Sequence, residues 1–374
     1  MSSRKKSVIS KASPHTIKKF ELIEEYIKSW AQKLLLTESC NGLIFIDCMC
    51  NSGVYTDNTG QLVKGTAVRV SEALREAART YTQKNIHIYL NDKDKARVDE
   101  LKKHLPQDER NFKIVTSRSD AHELLRTIGP QLYGTRHLHY FLLYDPYDAT
   151  IDWEALLPFF RNWGEVMINH MVSDPVRAIS SAKKKTTKAK YENTYLEDFE
   201  KLVPYGSDKT AYEARVEEII NSLKGARRYY VSAFPFYNTQ NSLVYNLIHC
   251  TSNKEGFKLY KRSAWKVFGA QSSTKHSVEN RQLSFNFLGE IAEEEDESCL
   301  HVIDIAKYLQ RSFRGRKQVP LEEMWELLDN HPILPSEGFR KEVKGNLTGF
   351  FDAKIEQIVS PDTGKKEMVI SFSS

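Results

Sequence analysis

LIFIDCMCNSG, Leu43–Gly53, decides the fold: an apolar run stops on Asp47 and opens into a loop that closes on Gly53. A short apolar run bounded by turn residues is the signature of a strand buried on both faces. Working outward, the same phrase recurs. GTAVRVSEALREAA (65–78) has helical spacing and leads to a second strand, IHIYLND (Ile86–Asp92). DKARVDELKKHL is the next helix, FKIVTS (Phe112–Ser117) the third strand and DAHELLRTI a third helix. HYFLLYDPY (His139–Tyr147), the helix IDWEALLPFF and EVMINHM (Glu165–Met171) complete the series. Parallel strands need crossover helices, and the intervals have the length for them. The prediction is an α/β fold with a doubly wound, Rossmann-like sheet.

The flanks are different. Upstream, Phe20, Ile23, Ile27, Trp30 and Leu34 recur at three and four residues, which predicts one amphipathic helix. Downstream, residues 173–224 are polar and helical and form an insertion carrying a lysine run. Tyr229–Tyr237 and Ser242–Thr251 follow, then FKLYKRSAW (257–265). The gap between the first two is too short for a crossover, so they are expected to pair antiparallel.

The 374 residues allow about two domains, and a chain 40% hydrophobic and 28% charged can bury a core. No apolar run is long enough to span a bilayer. The basic N-terminus lacks the apolar segment of a secretory signal. Five cysteines are too few and odd in number for a disulfide scaffold, so a reducing cytoplasm is the expected setting. Net charge is +5, but it is concentrated in two places: six basic groups within residues 1–19, and five lysines within SAKKKTTKAK (181–190). Such runs either contact phosphates or are simply solvated.

Residues 1–14 are expected to be a disordered basic tail, 15–268 a methyltransferase-like domain, and 269–298 a linker with the acidic run Ala292–Ser298. In 299–374, three helical segments precede two strand-like ones, FFDAKIEQIV and KKEMVISF, on either side of the turn signal SPDTG. Pro320 suits a first helical turn. Three helices followed by a hairpin is the layout of a winged helix-turn-helix.

Ligands of open α/β sheets bind where the strands end at their carboxyl tips. Asp47 ends the first strand, and Gly53 permits a tight turn after it; a plain strand-to-loop turn is the alternative. Asp92 ends the second strand, where a carboxylate can take both hydroxyls of a ribose. Asp94 is a fallback that also suits a helix N-terminus. Asp47 and Asp92 together suit a cofactor with a cationic sulfonium or amine at one end and a ribose at the other. Asp120, after the third strand, either meets an adenine amine or caps a helix. After the fourth strand come Asp145, Pro146 and Tyr147, in the place of the [DN]PP[YF] segment of amino-methyltransferases, which grips a target amine and stacks on its base. His15 and Thr16, with Lys18 and Lys19, either cap the first helix or lie over the pocket as a lid. Cys48 and Cys50 lack a second pair at zinc spacing, so no metal is expected.

An α/β sheet ending in an antiparallel hairpin resembles the class I methyltransferase plan. More narrowly, HTIKKFELIEEYIKSW, LIFIDCMCNSGVY, KGTAVRVSEAL, YLNDKD, FLLYDPYD, LVYNLIHCTSN and GFKLYKRSAWK, in that order, resemble the three-Cys-motif partner protein family (TcmP) over about 14–268. The tail resembles its GMT-like winged helix-turn-helix module. The resemblance implies S-adenosylmethionine as cofactor and a radical-SAM-like partner with a three-cysteine motif. By position it assigns Asp47, Gly53, Asp92, Asp145, Pro146 and Tyr147 to the site. The family's FAGPG loop is replaced here by Cys48–Gly53, and its DPYG by Asp145–Asp148.

Three functions are then open. One is a methyltransferase acting on a nucleic-acid base amine, with Lys183, Lys184 and Lys185 tracking DNA or RNA phosphates. Another is a non-catalytic scaffold for a partner. The last is a winged-helix DNA-binding regulator that uses Arg340, Lys341 and Lys344. Residues 299–374 carry 11 basic and 11 acidic groups, which also suits protein docking.

Overall fold

A computed structural model describes residues 7–132, 135, 137–161, 163–225, 229–276, 298–359 and 364–373. The chain divides into two compact units, Met1–Tyr260 and Lys261–Ser374.

The first unit begins with a short strand, β1 (Ser10–Lys11), inside the segment read as a tail, and a long helix, α1 (Pro14–Leu35). β2 (Gly42–Asp47) is buried at every residue. Short strands β3 (Val54–Thr56) and β4 (Leu62–Lys64) follow, then α2 (Thr66–Thr80), β5 (Asn85–Asn91) and α3 (Lys95–Lys102). Next come β6 (Phe112–Ser117), α4 (Ala121–Gln131), β7 (Leu138–Tyr144), α5 (Trp153–Arg161) and β8 (Gly164–His170). The insertion is helical: α6 (Ser173–Ala178), α7 (Lys185–Tyr195), α8 (Phe199–Leu202) and α9 (Lys209–Lys224). β9 (Tyr230–Tyr237) and β10 (Leu243–Thr251) close the sheet, and α10 (Lys254–Phe268) follows. FKLYKRSAW lies within α10.

Seven strands form one sheet in the order β6-β5-β2-β7-β8-β10-β9. β2, β5, β6, β7 and β8 are parallel, while β10 runs antiparallel to both β8 and β9. This is the expected doubly wound sheet with its terminal hairpin. Successive side chains of a strand face opposite ways. On one face, Phe45 stacks on Phe141 at 5.9 Å and Tyr26 and Trp30 of α1 pack against Phe141. On the other, Ile44, Ile46, Leu142 and Ile168 join Leu125, Phe159 and Val216 from α4, α5 and α9 in one buried cluster. Both faces are covered, which is why the strands read as unbroken apolar runs.

A second, three-stranded sheet has the order β1-β3-β4. Ser10 and Lys11 pair in parallel with Tyr55 and Thr56, and Ala12 N donates to Thr56 O at 2.8 Å. These contacts tie the start of α1 to the segment that leaves β2.

The second unit contains most of the end of α10, then α11 (Val302–Ser312), β11 (Val319–Pro320), α12 (Leu321–Asn330), α13 (Arg340–Phe350), β12 (Lys354–Val359) and β13 (Lys366–Ser371). Its strands form one sheet in the order β11-β13-β12. Pro320 pairs across from Val369 and stands at the cap of α12 rather than inside its first turn. The SPDTG turn falls largely outside the described residues. Lys261, fully buried, donates to the carbonyls of Leu328, Asp329 and His331 at 2.8, 3.3 and 2.7 Å. It thereby satisfies the exposed acceptor end of α12, where a cation is favoured.

Candidate cofactor and acceptor site

The strand ends expected to carry the site lie side by side. Asp47, on β2, is 3% exposed and accepts from Met49 N at 3.1 Å. Burial, then the neighbouring Asp145 carboxylate, pushes its carboxyl up to about 8; the Met49 amide and Lys19 pull the other way. Asp145, just past β7, accepts from Lys19 Nζ at 2.5 Å and from Asn169 Nδ2 at 2.6 Å. One lysine therefore faces two carboxyl groups. The cluster resolves the imbalance by keeping the deeper one, Asp47, protonated near neutral pH.

Lys19 is itself only 6% exposed and stands 5.2 Å from the ring centroid of Tyr245. Tyr245 Oη in turn donates to His15 O at 3.1 Å. Burial, then Lys19, holds the His15 imidazole below its usual range. Thus the opening of α1 lies over the strand ends, as its lid reading expected. Thr16 does not cap α1: it lies inside the helix, Ser13 holds the cap position without a side-chain capping hydrogen bond, and its Oγ stands 2.8 Å from Thr16 Oγ1.

Asp92, 2% exposed, is saturated by the chain. Its Oδ2 accepts from Asn51 N at 3.1 Å and from Tyr147 Oη at 2.8 Å, and its Oδ1 from Asp94 N at 2.8 Å. Arg97 lies 3.7 Å from Oδ2 and 5.0 Å from the Tyr147 ring centroid. Tyr147, expected to stack on an acceptor base, is exposed and donates its hydroxyl to Asp92.

A cavity of about 210 Å³ opens beside Asp92, lined by Met49, Asn91, Asp92, Ser119, Asp120 and Tyr147 among others; Asp47 and Asp145 are not among its walls. Asp120 lines it and also caps α4, accepting from His122 N and Glu123 N at 3.0 and 3.3 Å. Of the two alternatives weighed for Asp120, the helix cap is the one the structure shows. Asp94 caps α3 through Ala96 N at 2.8 Å. Pro146 lines the cavity too. The volume is below the ~300 Å³ at which drug-sized ligands begin, so it accommodates a nucleoside portion rather than a whole nucleoside–amino-acid cofactor.

Gly53 makes the tight turn expected of it and also packs closely on α3. Its φ is +70°, and a Cβ there would meet Leu101 Cδ1 at 2.3 Å. The glycine is needed for the turn and for packing on α3. The loop's other special backbone is Asn51, at φ 56°. Asn91 holds the neighbouring loops together, donating to Cys48 O and Ser119 O, both at 3.0 Å, while its Oδ1 accepts from Ser119 N at 2.9 Å.

Sequence reasoning missed Asn169, Asn91 and Tyr55. Asn169 Oδ1 is buried without a hydrogen-bond partner. Tyr55 is buried beside Asp47 and Asp145, and its phenol is pushed up by burial, then by those carboxylates. A polar residue ending an apolar strand is the only signal that could have found Asn169, in the run EVMINHM.

The basic residues are more dispersed. Lys183, Lys184 and Lys185 are exposed at the start of α7. Farther along that helix, Lys190 pairs with Asp148 at 3.2 Å and Asp174 at 3.1 Å, which brings α7 to the segment after β7. In the second unit, Lys341 is exposed and Lys344 half-buried on α13. Arg340 is committed locally: its Nε donates to Ser336 O at 2.8 Å and its guanidinium lies 5.0 Å from the Trp325 ring centroid.

No protein-family model matches this chain, and no curated protein matches it. Among solved structures, it is similar to Trm1 from Pyrococcus horikoshii in complex with S-adenosyl-L-methionine, at 11% identity and a TM-score of 0.37. That similarity covers 67% of this chain and 58% of Trm1, less than two thirds of its length. It is also similar to loganic acid methyltransferase with SAH, at 11% identity and a TM-score of 0.30, covering 72% of this chain and 87% of that one.

Proposed function

We propose that this chain is an S-adenosylmethionine-dependent methyltransferase of class I architecture that acts on a nucleic-acid base amine. The observation that carries the reading is Asp47: a buried carboxyl at the tip of the central strand, held protonated near neutral pH by burial and then by the Asp145 carboxylate, which takes Lys19. Its ionised form is costly there unless a cation arrives. When bound, the cofactor supplies a transferable methyl group on a cationic sulfonium. Asp47 gives up its proton and counters that charge. Asp92 releases Tyr147 and takes the ribose hydroxyls, while Asp120 and Ser119 border the base end of the cavity. Asp145 and the Pro146 carbonyl accept from the acceptor amine, with Asn169 steadying Asp145 at 2.6 Å. Freed from Asp92, Tyr147 is available to stack on the acceptor base.

Calorimetry with S-adenosylmethionine and S-adenosylhomocysteine tests this. Saturable binding that Asp92→Ala removes is expected; no heat at millimolar ligand overturns it.

A second reading has its own support. Both oxygens of Asp92 and both of Asp145 already accept hydrogen bonds from the chain, as they would in a non-catalytic scaffold. The ordered motifs support membership of the TcmP family and a radical-SAM-like partner with three cysteines, and the few, odd-numbered cysteines support a reducing cytoplasm. The order of helices and strands in 299–374 supports a winged helix-turn-helix, with Lys341 and Lys344 offered to DNA or to a partner protein. Co-purification with a three-cysteine partner, unchanged in Asp145→Ala, would favour the scaffold.

A further inference from the structure

At the opposite end of the seven-stranded sheet, where β7 and β8 begin, lies a larger cavity of about 470 Å³. That volume is in the range of organic-ligand pockets. Its walls include Trp30, His139, Trp163, Glu165, Thr251 and Asn253. Trp163 is 45% exposed at its rim, and His139 meets the Trp163 ring edge-on at 5.0 Å. Nothing in the proposed transfer reaction uses these residues.

The carboxylate of Glu165 is the unusual feature. It is 6% exposed and accepts from Tyr26 Oη, from His249 Nε2 at 2.9 Å and from Thr251 Oγ1 at 3.3 Å. His249 is fully buried and its Nδ1 has no hydrogen-bond partner. Among the described residues no lysine or arginine pairs with Glu165. His139, also in the wall, is held below its usual range by burial. The cavity thus combines aromatic walls with an acidic side chain that no lysine or arginine answers. An anion is disfavoured there, and a cation gains both the carboxylate and the ring faces.

We propose that this cavity is a second binding site, for a small organic cation: a protonated amine or guanidinium on an aromatic body, its charge countered by Glu165 and its body held against Trp163 and His139. Gly256 on α10 leaves room for the Glu165 carboxylate, since a Cβ there would meet Glu165 Oε1 at 2.4 Å.

Three indoles of similar size test it on the full chain by calorimetry at pH 7: tryptamine (cationic), tryptophol (neutral) and indole-3-propionate (anionic). Tryptamine is expected to bind about tenfold more tightly than either of the others. Glu165→Gln is expected to erase that preference and leave tryptophol unchanged. Asp47→Asn, at the other end of the sheet, is expected to leave tryptamine binding intact. Should Glu165→Gln fail to fold, Trp163→Ala at the rim is the second variant, with about a fivefold loss of tryptamine affinity expected. Equal binding of tryptamine and tryptophol, no saturable binding, tryptamine affinity unchanged in Trp163→Ala, or loss confined to Asp47→Asn would each overturn the proposal.

Discussion

Asp47 makes the chain's stability depend on pH in a definite direction. Its folded value is about 8, against an ordinary 3.8. Between those values the folded state holds the proton and the unfolded state does not. The contribution of Asp47 is therefore fully favourable below about pH 4 and is lost as pH rises towards 8, by at most ~1.4 kcal/mol per pH unit. Urea titrations of wild type and Asp47→Asn at pH 5, 6 and 7.5 check this: the gap in favour of Asp47→Asn is expected to widen with pH. A gap independent of pH would show that Asp47 is not protonated in the folded chain. Tyr147 supplies a second expectation. If a ribose replaces its hydroxyl on Asp92, Tyr147→Phe removes a competitor, and S-adenosylhomocysteine affinity measured by calorimetry is expected to rise about threefold to tenfold. A fall would place Tyr147 among the cofactor's supports. The acids themselves were legible in sequence because each ends an apolar run: Asp47, Asp92 and Asp145. Their partners were not. Lys19 lies 126 residues from Asp145, and no local pattern links them. Nor does spacing reveal that Tyr147 turns back to Asp92 rather than out to a substrate.

Among the elements, the five parallel strands and the hairpin were readable because burial on both faces leaves unbroken apolar runs, and because a short gap excludes a crossover. β1, β3, β4 and β11 were not, at two or three residues each. Strands that short carry no period, and their pairing is set by the tertiary fold. Yet β1 matters: it anchors α1 so that Lys19 reaches Asp145. The side chains of that pair are 8% and 22% exposed. Removing the lysine strands a desolvated carboxylate, so Lys19→Met is expected to cost about 3 kcal/mol in chemical denaturation at pH 7. Asp145→Asn in the same background is expected to recover part of it. A cost below ~1 kcal/mol would mark the pair as solvent-screened.

Over the whole molecule, two units are each built on their own core, and the five cysteines are all buried and form no disulfide. Cys40, Cys48, Cys50 and Cys250 belong to the first unit and Cys299 to the second. Burial pushes the thiols of Cys48 and Cys50 well above their usual range, then Asp47 adds to it, so both are inert in the closed fold. Reaction with an alkylating reagent therefore waits for the surrounding structure to open, and each thiol keeps time for its own region. Followed by peptide mass spectrometry, Cys48 and Cys50 are expected to react faster than Cys40 and Cys250, and S-adenosylhomocysteine is expected to slow that pair alone. Uniform slowing of every thiol would instead report a global change. The bent turn after Asp47 thus carries a built-in stopwatch, two sulfur atoms whose silence measures how long the mouth of the sheet stays shut.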